Sequence, residues 1–111
     1  MDDLNQLGIP DSFVALYLDP GRVKPRQTRA VIAARYELSE DMAQQLFELA
    51  RAWHFDLGLS EDEVLRRCRL GLLAEPAAFD APEAAWIVRR LAELEAWADI
   101  NWQAVDGAVG E

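Results

Sequence analysis

Gly58-Leu59-Ser60-Glu61-Asp62-Glu63 is a helix stop followed at once by a helix start. Gly58 can take the left-handed conformation that ends a helix. Ser60, with Glu63 three residues later, reads as a capping box. Upstream, Met42, Leu46, Leu49, Trp53 and Leu57 form an apolar stripe at helical spacing, widened by Ala43, Phe47 and Ala50. Downstream, Val64, Leu65, Cys68 and Leu72 mark the apolar face of a helix over 61–73. Two helices joined by so short a turn must pack on one another. Composition agrees: 18 Ala and 15 Leu stand against 12 Val, Ile and Thr together, the balance of a helical chain.

The remaining segments extend this pattern. A short helix is expected over 10–18, with Pro10 in its first turn and Phe13, Leu16 and Tyr17 on one face. Asp19-Pro20-Gly21 stops it. A second helix is expected from Thr28 to Tyr36, burying Val31, Ile32 and Tyr36. Ser39, followed by Glu40 and Asp41, then reads as the N-cap of a third helix reaching Leu57. Residues 74–81 read as a loop. Asp80 and Pro82-Glu83 start a fifth helix expected to run to Trp102, with Ile87, Leu91, Leu94 and Ala98 inward and Trp102 closing the end of the core. Residues 1–9 and 103–111 are expected to be flexible. The expectation is all-α: one domain over 1–111, a compact bundle of about five helices.

Charge and motif absence narrow the function classes. The 111 residues carry a formal charge of −9, from 20 acids and 11 bases. The lone Cys68 has no intramolecular disulfide partner, and no apolar run approaches the roughly 20 residues of a membrane span. The acidic start Met1-Asp2-Asp3-Leu4 speaks against a secretory or transit peptide. These features fit a cytoplasmic protein. There is no GxxxxGK[ST], GxGxxG, CxxC or HExxH, so no cofactor and no metal is expected. His54 and Cys68 fall on different helices and both have structural explanations. The acids at 40–41 and 61–63 are accounted for by capping and the helix dipole. No catalytic residue is assigned.

Three features could carry a contact. The helix–Gly–helix unit over 40–73 has the outline of a helix-turn-helix, with Arg66, Arg67 and Arg69 on its second helix. Its leading turn, however, is Glu61-Asp62-Glu63, which repels phosphate, so nucleic acid is the weaker alternative. Residues 22–35 are the basic stretch; Arg22, Arg26 and Arg29 form a candidate contact surface for an acidic partner, unless they fold back on the domain's own acids. On the last helix, at roughly 100° per residue, Trp97 falls about 20° and Arg90 about 40° from Trp86. That places two indoles and a guanidinium on one strip, the residue types enriched in binding hot spots. The alternative is that both indoles wrap the edge of the core under the N-terminal segment.

Gly8-Ile9-Pro10-Asp11-Ser12-Phe13, Ala33-Ala34-Arg35-Tyr36-Glu37-Leu38, Glu40-Asp41-Met42-Ala43 and Ala84-Ala85-Trp86-Ile87-Val88-Arg89-Arg90-Leu91 carry a resemblance. Across about 8–100 the chain resembles small proteobacterial proteins labelled "ATPase with chaperone activity". The resemblance implies a bacterial cytoplasmic protein. Without a phosphate-binding loop, the label implies genomic association with a chaperone ATPase, or a propagated misannotation, rather than ATP hydrolysis.

The sequence is therefore read as a non-enzymatic protein-interaction module, a small adaptor or regulator whose partner is another protein or a second copy in a homodimer. Its expected contact residues are Trp86, Arg90 and Trp97, with Arg22, Arg26 and Arg29 as a second surface. The alternatives are a helix-turn-helix-like nucleic-acid binder and a helical domain that binds a small ligand between its helices.

Overall fold

Thr28 accepts the Val31 N–H at 3.2 Å and so caps a helix that does not end until Phe55. In the computed structural model, which describes Leu4 and residues 6–107, this 27-residue helix is the spine of the molecule. We number the elements α1 (Asp11–Val14, continued by a 3-10 turn over Ala15–Tyr17), α2 (Arg29–Phe55), α3 (Glu61–Leu73), α4 (Ala81–Glu95) and α5 (Trp102–Asp106). The fold is all-α, five helices in a compact bundle, with no strand among the described residues. At 1.5 Å per residue α2 is about 40 Å long, close to the longest extent of the molecule, 44 Å.

The helices expected over 28–36 and 40–57 are therefore one. Nothing in Glu37-Leu38-Ser39-Glu40 breaks a helix, and tertiary contacts use these residues differently. Ser39 is fully buried rather than capping. The Glu40 carboxylate turns to α4, where it accepts from Arg90 at 2.8 and 3.1 Å. Ile32, Ser39, Ala43 and Ala50 recur along one line of α2 and are its buried residues. Three of the four are small, so α4 can approach closely.

α4 starts as expected. Asp80 accepts the Glu83 N–H at 2.9 Å and the Glu83 carboxylate accepts the Asp80 N–H at 3.1 Å, a complete capping box. It ends seven residues before Trp102: Ala96 turns left-handed (φ 63°), and the Trp97 N–H closes on the Ala92 carbonyl at 2.9 Å. Asn101 then caps α5 and donates its own N–H to Asp62 at the start of α3. Trp102 sits on α5, half-buried under the Arg89 guanidinium, 4.4 Å from the ring centroid. At α3 only half of the expected box forms. Ser60 accepts the Glu63 N–H, whereas the Glu63 carboxylate is taken by Arg66 and Arg67 at 2.6 to 3.0 Å.

The segments expected to be flexible lie partly outside the described residues, which exclude 1–3, 5 and 108–111. Inside them, Leu4, Ile9 and Val105 are buried, because the N-terminal segment and α5 each close one side of the core. Phe13 is at the centre of the N-terminal contact, edge-on to Trp86 at 5.1 Å and to Tyr36 at 5.5 Å.

Candidate interaction surface

Trp86, Arg90 and Trp97 do not form the expected strip. Trp86 is 9 % exposed, packs under α1 and donates its indole N–H to Ser12 Oγ at 3.0 Å. Trp97 is 8 % exposed. It lies beyond the left-handed turn at Ala96, edge-on to His54 at 5.1 Å, so the helical projection that paired it with Trp86 does not apply. Arg90 is held between Glu40 and Glu93. The two indoles belong to the core.

Arg22, Arg26 and Arg29 do lie on the surface. Arg26 folds back: its guanidinium reaches Asp19 at 3.3 Å and stands over the Tyr17 ring at 5.5 Å. Arg22, Lys24 and Arg29 make no ion pair with the other described residues. Lys24, Arg26 and Arg29 border an open hollow of about 480 Å³ beside Thr28 and Ile32.

Most other basic side chains are consumed internally. Glu83 is the hub. Its carboxylate accepts from Tyr17 at 2.7 Å and from the Arg35 fork at 2.8 and 2.7 Å. Burial disfavours its charge, but the bonds from Arg35, Tyr17 and the Asp80 N–H outweigh burial and hold its pKa below the ordinary value. Burial and the bond to Glu83 push the Tyr17 phenol up to about 12. The bonds from Arg66 and Arg67 hold Glu63 down at about 2. Glu95 is the contrary case: its side chain is fully buried, Oε1 reaches Arg51 only at 3.4 Å, Oε2 has no partner among the described residues, and burial raises its pKa.

His54 and Cys68 are not joined by a hydrogen bond. His54 Nδ1 donates to the Leu59 carbonyl at 2.7 Å, which fixes its tautomer. Cys68 is buried, and burial with the neighbouring Glu95 charge pushes its thiol up to about 11, which keeps it protonated at neutral pH. Among the described residues no cluster of His, Cys, Asp and Glu could hold a metal ion, and no helix is long and apolar enough to cross a membrane.

The surface that sequence reasoning missed is the outer flank of α2. Leu38, Leu49 and Val31, the last two of them expected in the core, are 43 %, 41 % and 40 % exposed, and Leu70 on α3 is exposed as well. Between α2 and α3 runs an open furrow of about 260 Å³, walled by Met42, Leu46, Leu49 and Trp53 and floored by Cys68 and Leu72. Gly71 leaves it open, since a Cβ there would meet nothing within 4 Å. The signal was present: α2 carries apolar residues over a wider arc than one neighbouring helix can cover. The expected stripe treated that whole arc as core.

Comparison with protein-family models, curated proteins and solved structures finds no match to this chain.

Proposed function

We propose that this chain is a non-enzymatic protein-interaction module, a small adaptor or regulator that works by binding another protein through the outer flank of α2. One observation carries the reading: the helix buries its small residues against α4 and leaves Leu38, Leu49 and the furrow beside them uncovered. Isolated exposed apolar side chains are ordinary, but a ridge continuous with an apolar furrow is the usual form of a protein contact. At about 260 Å³ the furrow is smaller than the usual small-molecule site and matches one or two apolar side chains. The protonated thiol of Cys68 and the structural use of Glu40, Glu63 and Glu83 support a role without catalysis. The resemblance described above supports a place among bacterial cytoplasmic proteins associated with a chaperone ATPase.

The test compares capture by the immobilised wild type and by Leu49→Asp, with circular dichroism confirming equal helicity. Species captured are identified, purified and titrated against both proteins. A partner bound at least tenfold more weakly by Leu49→Asp supports the reading. Equal binding by both, or no partner at all, overturns it.

A further inference from the structure

The charges around the furrow point to the kind of partner it takes. At about 100° per residue, Leu38, Gln45 and Leu49 lie along the outer ridge of α2, and Asp41 and Glu48 stand on the side of that ridge away from α3. Asp41 and Glu48 are exposed and make no ion pair with the other described residues, nor does Asp56 at the end of the helix. The wall on the α3 side is different. Arg67 lines the furrow there and shares the Glu63 carboxylate with Arg66. The uncompensated charge on the side of the ridge away from α3 is thus acidic, and the whole chain, at −9, adds to it.

A second copy meets this surface poorly. A two-fold pairing with α2 antiparallel to its mate sets the Asp41–Glu48 side of one copy against the same side of the other. A pairing with the helices parallel sets the basic residues 22–29 of the two copies together. Both arrangements set like-charged segments of the two copies near one another.

Resting on the interaction-module reading, we propose that the α2–α3 furrow receives an amphipathic helix of another protein, one that is apolar on its buried face and basic along the edge lying over Asp41 and Glu48. Two or three apolar side chains at helical spacing enter between Leu46, Leu49, Trp53 and Leu72, and Lys or Arg side chains on the adjacent edge reach the carboxylates. This is helix-in-groove recognition, with the apolar anchors supplying affinity and the charged edge supplying orientation and rate.

The experiment uses two fluorescein-labelled synthetic helices of about 16 residues that share one Leu face; one has Lys along its edge and the other Glu. Each is titrated with the full chain near physiological salt, and anisotropy is read. The Lys helix is expected to bind at least tenfold more tightly than the Glu helix. Leu49→Asp is expected to weaken the Lys helix at least tenfold even though it adds negative charge, which separates the furrow from non-specific attraction to an acidic protein. Asp41→Asn with Glu48→Gln is expected to weaken the Lys helix several-fold and leave the Glu helix unweakened. Equal affinity for the two helices, absence of binding, or unchanged or tighter binding of the Lys helix by Leu49→Asp overturns the proposal. A light-scattering mass near 25 kDa, twice the 12.5 kDa of one chain, that returns to one chain in Leu49→Asp also overturns it, because a second copy then covers the face. If the helices fail but a captured partner is lost on Leu49→Asp, the interaction-module reading stands and only the basic-helix inference falls.

Discussion

The two sides of α2 solve opposite problems with the same 27 residues. Its inner side buries Ile32, Ser39, Ala43 and Ala50, and the helix is tied to α4 at two points by charged forks, Arg35 to Glu83 and Arg90 to Glu40. Its outer flank carries larger side chains, Leu38, Met42, Leu46, Leu49 and Trp53, and these are only partly covered by α3. Size and burial therefore run in opposite directions. Small residues are buried because they let two helix backbones approach, and close approach is what makes the forks reachable. Large residues on this flank stay partly exposed because no further helix among the described residues covers them. Side-chain hydrophobicity alone would assign the two sides the other way round.

The strongest way to break this contrast is at the inner fork. Glu83→Gln removes the charge that Arg35 and Tyr17 share and leaves a partly buried guanidinium without its anion. A loss of about 2–3 kcal/mol at neutral pH is expected, after allowing for the partial exposure of Arg35. The pH dependence carries the sign. The folded-state pKa of Glu83 lies below its ordinary 4.5, so its stabilisation is present above the unfolded value and is lost as pH falls through the folded one. Glu63 acts in the same direction, whereas Glu95, whose pKa is raised, is relieved by protonation and partly offsets the loss. Urea unfolding at pH 7 and pH 3.5 should show the gap between wild type and Glu83→Gln narrowing in acid. A gap that stays constant would mean the carboxylate charge is not what holds the fork.

A middle-sized effect compares the two sides directly. Ala43→Leu on the inner side forces α4 outward and is expected to cost about 1–3 kcal/mol, as overpacking of a close interface does. Leu49→Ala on the outer flank removes a larger side chain yet is expected to cost less than about 1 kcal/mol, because that side chain is already two-fifths exposed. Thermal unfolding of the two variants ranks them. If Leu49→Ala is the more damaging change, the outer ridge is core and no contact surface remains there.

Much of this was legible in the sequence, and the rest fails for identifiable reasons. The helical class, the starts of α3 and α4 and the helix start near Thr28 follow from composition and capping chemistry, which act within four residues. Most of the misreadings are long-range; the lost half of the α3 capping box, where Arg66 and Arg67 take the Glu63 carboxylate, is local. Ser39-Glu40-Asp41 has the composition of a helix start, but Arg90, 50 residues away, takes the Glu40 carboxylate. Trp86 and Trp97 share a strip only if the helix continues, and the left-handed turn at Ala96, with no glycine or proline to announce it, moves Trp97 onto His54. Of the expected contact residues, Arg22, Arg26 and Arg29 are at the surface, and Arg26 is spent on Asp19 and Tyr17. The outer ridge was missed because an apolar residue at helical spacing gives no indication of whether a neighbour exists to cover it.

The smallest effect is the sharpest test of the long helix, because its sign differs between the two readings of Ser39. If Ser39 capped a separate helix, Ser39→Ala would remove a hydrogen bond from a free N–H and destabilise by about 1 kcal/mol. In the continuous helix its hydroxyl is fully buried and without a partner among the described residues, so it contributes no bond and bears a desolvation cost. Alanine also has the higher helix propensity, and its methyl fits the same close approach to α4. Ser39→Ala is therefore expected to stabilise by about 0.5–1 kcal/mol, a rise of a few degrees in Tm for a domain of this size. A fall in Tm would restore a break at residue 39. It would also remove the premise that the small inner line and the large outer ridge belong to one rigid element.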